Sequence, residues 1–212
     1  ISRGDWSSDV CSSDLLTSLK GFVQLMQVTK KVEDSHLSIM LSEIDRINLI
    51  SGEMLILGKQ QDIVFAHEEV NDIIKQVLVL MEAQANLDNV EIKFNPDETG
   101  PIIVNADQNQ LKQVLINLMK NGVEAIEGAG LVKVVTYKNE SQAFIKINDN
   151  GVGMDQERID HLGEPFYSTK EKGTGLGLAV CKKIIERHQG TITYHSEKGK
   201  GTTVIISLPL VQ

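Results

Sequence analysis

Apolar residues recur at helical spacing from Leu15 through Leu19, Phe22, Val23 and Met26 with no proline, which predicts an amphipathic helix running into a polar turn at Thr29 to Ser35. Leu37, Leu41, Ile44, Ile47 and Met54 predict a second, longer helix to about Lys59, with Glu43, Asp45 and Arg46 on its wet face. The two form a hairpin. Its apolar stripes cannot be covered within one hairpin, so a dimeric four-helix bundle is expected.

Beyond Gln60 the chain changes to short segments punctuated by Gly, Asn and Pro, which predicts a second, α+β domain beginning near Asp62 to His67. Its helices are expected at Val70 to Ala85, Gln108 to Ile126 and Leu176 to His188. Short strands are expected at Val90 to Phe94 and Ile102 to Asn105, a hairpin from Leu131 to Tyr137 and Ala143 to Asn148, and a last pair from Thr191 to His195 and Thr202 to Leu208. An antiparallel sheet with helices on one face follows. Residues 1–14 fit neither period: the unit SSD nearly repeats in Ser7 to Leu15, and the segment reads as disordered or foreign to the fold. Three divisions result, 1–14, 15–61 and 62–212.

Charge removes some classes of ligand. With 21 Lys and Arg against 29 Asp and Glu, the net charge of -8 leaves no basic field for nucleic acid or an anionic membrane. A polyanion would have to be gripped locally. The apolar runs fall far short of the roughly 20 residues of a membrane span, and residues 1–14 lack the apolar core of a signal peptide. The two cysteines, Cys11 and Cys181, form neither a disulfide framework nor a zinc pattern, so a cytoplasmic setting is expected.

Four constellations carry chemistry. Asn117 and Asn121 share a helical face, where two amides offer oxygen to a hard cation such as Mg²⁺; alone, they also suit a solvated face. DNGVGM, Asp149 to Met154, places a carboxylate at a strand end, able to accept from an exocyclic amine, with Gly151 and Gly153 admitting close approach of a flat ring; alone, it is a turn. GTGLGL, Gly173 to Leu178, opens a helix with glycines whose N–H groups suit phosphate, but it is neither a dinucleotide fingerprint nor a P-loop. The polar stretch from Gln156 to Gly173 reads as a mobile lid. Gly199 to Thr203 is a hairpin turn that sets Thr202 toward a ligand when taken with the others.

In order, NxxxN, DxGxG, EPF, GxGxG and GKGT resemble the ATP-binding domain of sensor histidine kinases, in the superfamily of gyrase, Hsp90 and MutL, and look most like the sporulation-type kinases of bacilli. The resemblance covers about Glu68 to Leu210. Upstream, LTSLKGFVQLM and SEIDRINLISGEMLILGK look like the dimerisation and phosphoacceptor hairpin. It implies an α/β sandwich of the Bergerat type after the helical hairpin, with ATP and Mg²⁺ as cofactors and Asn121 as the metal ligand. It further implies Asp149 at the adenine amine, the glycines Gly151, Gly153, Gly173, Gly175 and Gly177 with Leu176 and Thr202 shaping pocket and lid, and Phe166 in the lid. Partners implied are a second copy of the chain and a response-regulator receiver domain; a membrane anchor in a longer parent stays open.

The chain departs from the family at the acceptor. Counting back from Thr17 puts the phosphorylated histidine at Val10, and the upstream half of that motif is replaced by SSDVCSSDL, as at a gene-assembly or sequencing artefact. His36 is the nearest histidine and suits a structural role. Glu124 replaces a basic residue that many relatives direct at phosphate, for which Lys120 or Lys170 can substitute. The sequence therefore reads as a histidine kinase core that autophosphorylates and passes phosphate to an aspartate, with an ATP-binding scaffold lacking the acceptor as the rival. An ATP-hydrolysing clamp is disfavoured, because Asn117 stands where such proteins carry Glu.

Overall fold

A computed structural model describes residues 20–21, 23–24, 26–29, 34–58, 64–168 and 173–211. Val10, the segment 1–14, Lys170 and most of the first predicted helix lie outside the described residues. Positions 20–21, 23–24 and 26–29 are helical. The long helix follows as α1 (Asp34–Gly58), and His36 is in its first turn rather than before it.

The remaining order is β1 (Ala66–Glu69), α2 (Val70–Leu87), β2 (Val90–Asn95), β3 (Ile103–Ala106), α3 (Gln108–Glu124), β4 (Gly130–Lys138), β5 (Gln142–Asp149), α4 (Gln156–Asp160), α5 (Gly177–Arg187), β6 (Thr191–Glu197) and β7 (Gly201–Pro209). Five strands make one sheet in the order β2-β4-β5-β7-β6, and β1 and β3 make a small antiparallel ladder beside it. Alternate residues of the central strands, including Val132, Val134, Ile145, Ile147, Ile206 and Leu208, are buried with Ile73, Ile74 and Val77 of α2, Val114, Leu115 and Met119 of α3, and Ile184 and Ile185 of α5. The result is a two-layer α+β sandwich, as expected.

Two expectations need correction. The sheet is mixed, not antiparallel: Val90 of β2 lies opposite Gly130 of β4 with the strands running parallel. The connection between them passes through β3 and α3, a crossover that returns the chain in the same direction, and apolar periodicity carries no strand direction. Strand β1 was also missed. Its sequence AHEE offers no alternation; it is strand because it pairs with β3 from Ala66 opposite Ala106 to Glu69 opposite Ile103. Glu69 then caps α2, accepting from Asp72 N–H at 2.9 Å, and takes Ile102 N–H at 3.0 Å on its other oxygen.

Helix α3 is fixed at its start by Asp107, whose Oδ1 accepts from Asn109 and Gln110 N–H at 2.9 and 3.1 Å. That cap sets the phase by which Leu111, Val114, Leu115, Leu118 and Met119 turn to the core while Asn117, Lys120, Asn121 and Glu124 flank it. Helix α1 packs on α5: Ile56 joins the core, and Arg187 Nη2 donates to its carbonyl at 3.0 Å. Among the described residues no helix is long and apolar enough to cross a membrane.

Candidate functional site

A cleft of about 650 Å³ opens between α3, the end of β5, the start of β7 and the loop that leads into α5. Helix α3 contributes Asn117, Lys120, Asn121 and Glu124, β5 contributes Asp149, and the following turn Gly153 and Met154. Gly173, Gly175 and Gly177 line the side where α5 begins, and Thr202 the floor. Residues from four separate stretches of sequence thus share one wall.

Asp149 ends β5 opposite Val132 and is only 6% exposed. Its Oδ1 accepts from Gly151 N–H at 2.9 Å and Thr202 N–H at 3.1 Å. A Cβ at Gly122 would lie 3.7 Å from Oδ2, which turns that second oxygen toward a cleft-lining stretch of α3. Burial pushes the carboxyl above its ordinary range, against the pull of those two N–H groups. Such a group can present one acceptor to a donor on a ligand. Gly201 secures the floor: φ is +89°, and a Cβ there would meet the Asp149 carbonyl oxygen at 2.0 Å, so no side chain fits.

On α3, Asn121 Nδ2 donates to Asn117 Oδ1 at 3.4 Å, and Asn117 Nδ2 to Cys181 Sγ at 3.5 Å. Burial raises the Cys181 thiol to about 12, so it is a neutral packing group beneath the cleft. Lys120 Nζ is 3.8 Å from Glu124 Oε1, a largely exposed pair one helical turn apart.

Three sequence-predicted residues do not line the cleft. Gly151 leaves room for the end of α3 instead, since a Cβ there would meet the Ala125 carbonyl oxygen at 2.3 Å. Leu176 is buried at the start of α5. Phe166 acts through its backbone: its N–H donates to the Gly175 carbonyl at 3.0 Å, and it holds φ at +67°. Gly175, at φ +68°, packs so closely on Phe166 that a Cβ would lie 2.4 Å from its carbonyl carbon. That contact ties the interior of the stretch expected as a lid to the loop leading into α5. The stretch from Gln156 to Gly173 begins with α4, a five-residue helix capped by Asp155 and absent from the sequence reading. It is too short for its period to show.

The structure also adds residues to the cleft wall that sequence reasoning did not find. Arg158 and Tyr167 come from the stretch between β5 and α5, Tyr194 from β6, and Leu49 and Glu53 from α1. Glu53 Oε2 accepts from Thr174 Oγ1 at 3.0 Å, and burial raises its carboxyl, opposed by that bond and by Lys120. A contact between positions 53 and 174 has no local signature.

A mixed sheet with helices on one face, its cleft walled by an Asn-bearing helix, a strand-end aspartate and a glycine-rich helix start, defines the class. Residues 106–212, just over half of the chain, match the family described as "Histidine kinase-, DNA gyrase B-, and HSP90-like ATPase", and the chain belongs to it. In particular, the chain is 46% identical to Sporulation kinase C of Bacillus subtilis (strain 168) over 195 residues, which are 92% of this chain and 46% of that protein. It is 43% identical to Sporulation kinase A of the same organism over 195 residues, 92% of this chain and 32% of that protein. The chain spans about half the length, or less, of these curated relatives. Among solved structures, the nucleotide-free catalytic domain of histidine kinase ThkA superposes with a TM-score of 0.63 at 33% identity, covering 69% of this chain and 95% of that one. ThkA in complex with response regulator protein TrrA gives 0.79 at 27% identity, covering 98% of this chain and 62% of that one. The likeness to sporulation-type histidine kinases is thus shown.

Proposed function

We propose that the cleft binds ATP with Mg²⁺ and that the chain is the catalytic core of a sensor histidine kinase, acting within a longer protein. The observation that carries this reading is Asp149, buried on the cleft wall, with one oxygen held by Gly151 and Thr202 N–H groups and the other beside Gly122 on the cleft-lining stretch of α3, where it suits an exocyclic amine. Asn121, supported by Asn117, offers a hard amide oxygen on the same wall, which fits Mg²⁺ held chiefly by phosphates and water. When bound, Mg²⁺ neutralises charge on the phosphates. Lys120 and the N–H groups about Gly173, Gly175 and Gly177 take up the rest of that charge, and Thr202 closes the floor. Lys170, outside the described residues, and Phe166, through the lid, complete the proposed set.

The reaction is phosphoryl transfer, in which an imidazole nitrogen attacks the γ-phosphorus in line as its bond to the β–γ bridging oxygen breaks and ADP leaves, and the protein mainly positions the parts. The acceptor histidine belongs on the hairpin of a homodimer, and a response-regulator aspartate then takes the phosphate. A second reading rests on the residue at position 10, where the family resemblance puts the acceptor: it is valine, which has no lone pair for attack. The chain as written is then an ATP-binding scaffold. Incubation with γ-labelled ATP separates the two. We expect no label on this chain and acid-labile, base-stable label once His-Glu-Ile-Arg-Asn-Pro replaces residues 10–15. Acid-labile label on the unaltered chain, abolished by His36→Gln, would overturn the acceptor assignment; an unlabelled restored chain would overturn the kinase reading.

A further inference from the structure

Glu53 belongs to the hairpin helix α1, yet its side chain forms part of the cleft wall with Thr174, Gly175 and Gly177. Its position is fixed by the backbone: three residues on, Ile56 is in the core and its carbonyl accepts from Arg187 at 3.0 Å. The carboxylate is anchored too. Thr174 Oγ1 donates to Glu53 Oε2 at 3.0 Å and accepts from Leu176 N–H at 3.2 Å, at the amino end of α5. A carboxylate is thereby relayed to a helix start whose own N-cap residue, Leu176, makes no side-chain capping bond, where a phosphate group would also be drawn. Lys120, on the same cleft wall, acts on this carboxylate. Bound phosphates and Glu53 would compete for one positive environment.

We infer that Glu53 is a charge gate on the nucleotide cleft: the docked hairpin presents a fixed anion at the phosphate end, so the cleft discriminates against each added phosphate, and hairpin docking and triphosphate binding oppose each other. The inference rests on the nucleotide reading of the cleft and deepens it. Adenine recognition at Asp149 is a separate part of the wall and is not affected by the gate. Because coupling between two events is reciprocal, nucleotide that pushes on Glu53 also loosens α1 from α5. This gives the hairpin a direct report of whether the cleft holds ATP. It also explains why an acidic residue is kept 7% exposed against the cost of burial.

The test uses the full chain with and without Glu53→Gln, which keeps shape and the oxygen that Thr174 bonds while removing the charge. Displacement of a fluorescent nucleotide is titrated with Mg·ATP, Mg·ADP and adenosine. The gate predicts that Glu53→Gln tightens ATP about 10-fold, tightens ADP less, and leaves adenosine unchanged. Equal ATP affinity in both chains, weaker ATP binding in the variant, or tightening shared equally by adenosine would overturn it. An ATP-blind chain whose adenosine binding is also absent overturns the nucleotide reading as well, which distinguishes the two failures. Hydrogen exchange on the unaltered chain needs no variant: amides of 49–58 should exchange faster with ATP than with adenosine, and equal rates would refute the coupling.

Discussion

The two N–H groups on Oδ1 of Asp149 determine what a substitution there does. In Asp149→Asn the amide oxygen keeps those bonds, so its NH₂ must face the cleft, and a ligand amine meets a donor instead of an acceptor. Loss of one such bond with its partner left unpaired costs about 1–3 kcal/mol, so ATP affinity should fall about 10- to 100-fold with the melting temperature preserved. Isothermal titration calorimetry with a thermal melt on the same sample checks both halves. Gly201→Ala should behave oppositely. Its Cβ has nowhere to go against the Asp149 carbonyl, and the strained φ adds to the clash, so thermal stability itself should drop along with binding.

Elements are joined in this fold by a few polar side chains that reach across chain distance. His188, 3% exposed at the end of α5, accepts from Asp107 N–H at Nε2 (3.0 Å) and donates from Nδ1 to the Ile184 carbonyl at 2.8 Å. The bond at Nε2 requires the neutral ring, since an imidazolium cannot accept, whereas the Nδ1 bond is open to either form. Burial accordingly holds its pKa below the usual 6.5. The unfolded chain then binds the proton more tightly than the folded one, so this contribution is complete above about pH 6.5 and is lost as pH falls from there toward the lowered folded value. Urea midpoints across pH 5–8 should show this slope, and His188→Gln should flatten it. Asp107→Ala, which removes the cap of α3, should lower stability by about 1 kcal/mol in the same assay.

At the level of the assembly, α1 leaves Leu41 62% exposed and Ile44 43% exposed, with Leu37 and Leu55 on the same side also open. A face of that kind on a helix already docked on α5 by its other side is suited to a second copy of the hairpin. Leu41→Glu with Ile44→Glu should convert a dimeric mass to a monomeric one in light scattering at micromolar concentration. Nucleotide affinity should change little, because neither residue lines the cleft. A monomeric mass for the unaltered chain at the same concentration would remove the bundle from the proposal.

How much could be read in advance follows from the range of each interaction. Helices α1, α2, α3 and α5 and the pairs β4–β5 and β6–β7 were legible because apolar period, glycine turns and capping residues act over a few neighbours. The grouping of Asn117, Asn121, Asp149, Gly175 and Thr202 was legible through the order of five motifs, each of which carries little alone. What lay beyond reach was set by contacts distant in sequence. The parallel β2–β4 pairing depends on a crossover, the strand β1 exists only as a partner for β3, and Gly151 and Phe166 serve the scaffold behind the wall because Ala125 and Gly175 are their neighbours in space. The same holds for Glu53, whose residue type marks a wet helix face until α1 docks on α5 and carries its carboxylate to Thr174. Local chemistry selects the elements and the reacting groups; which of those groups meet is decided when apolar faces far apart in the chain are buried together, since that burial alone supplies the free energy to hold them there.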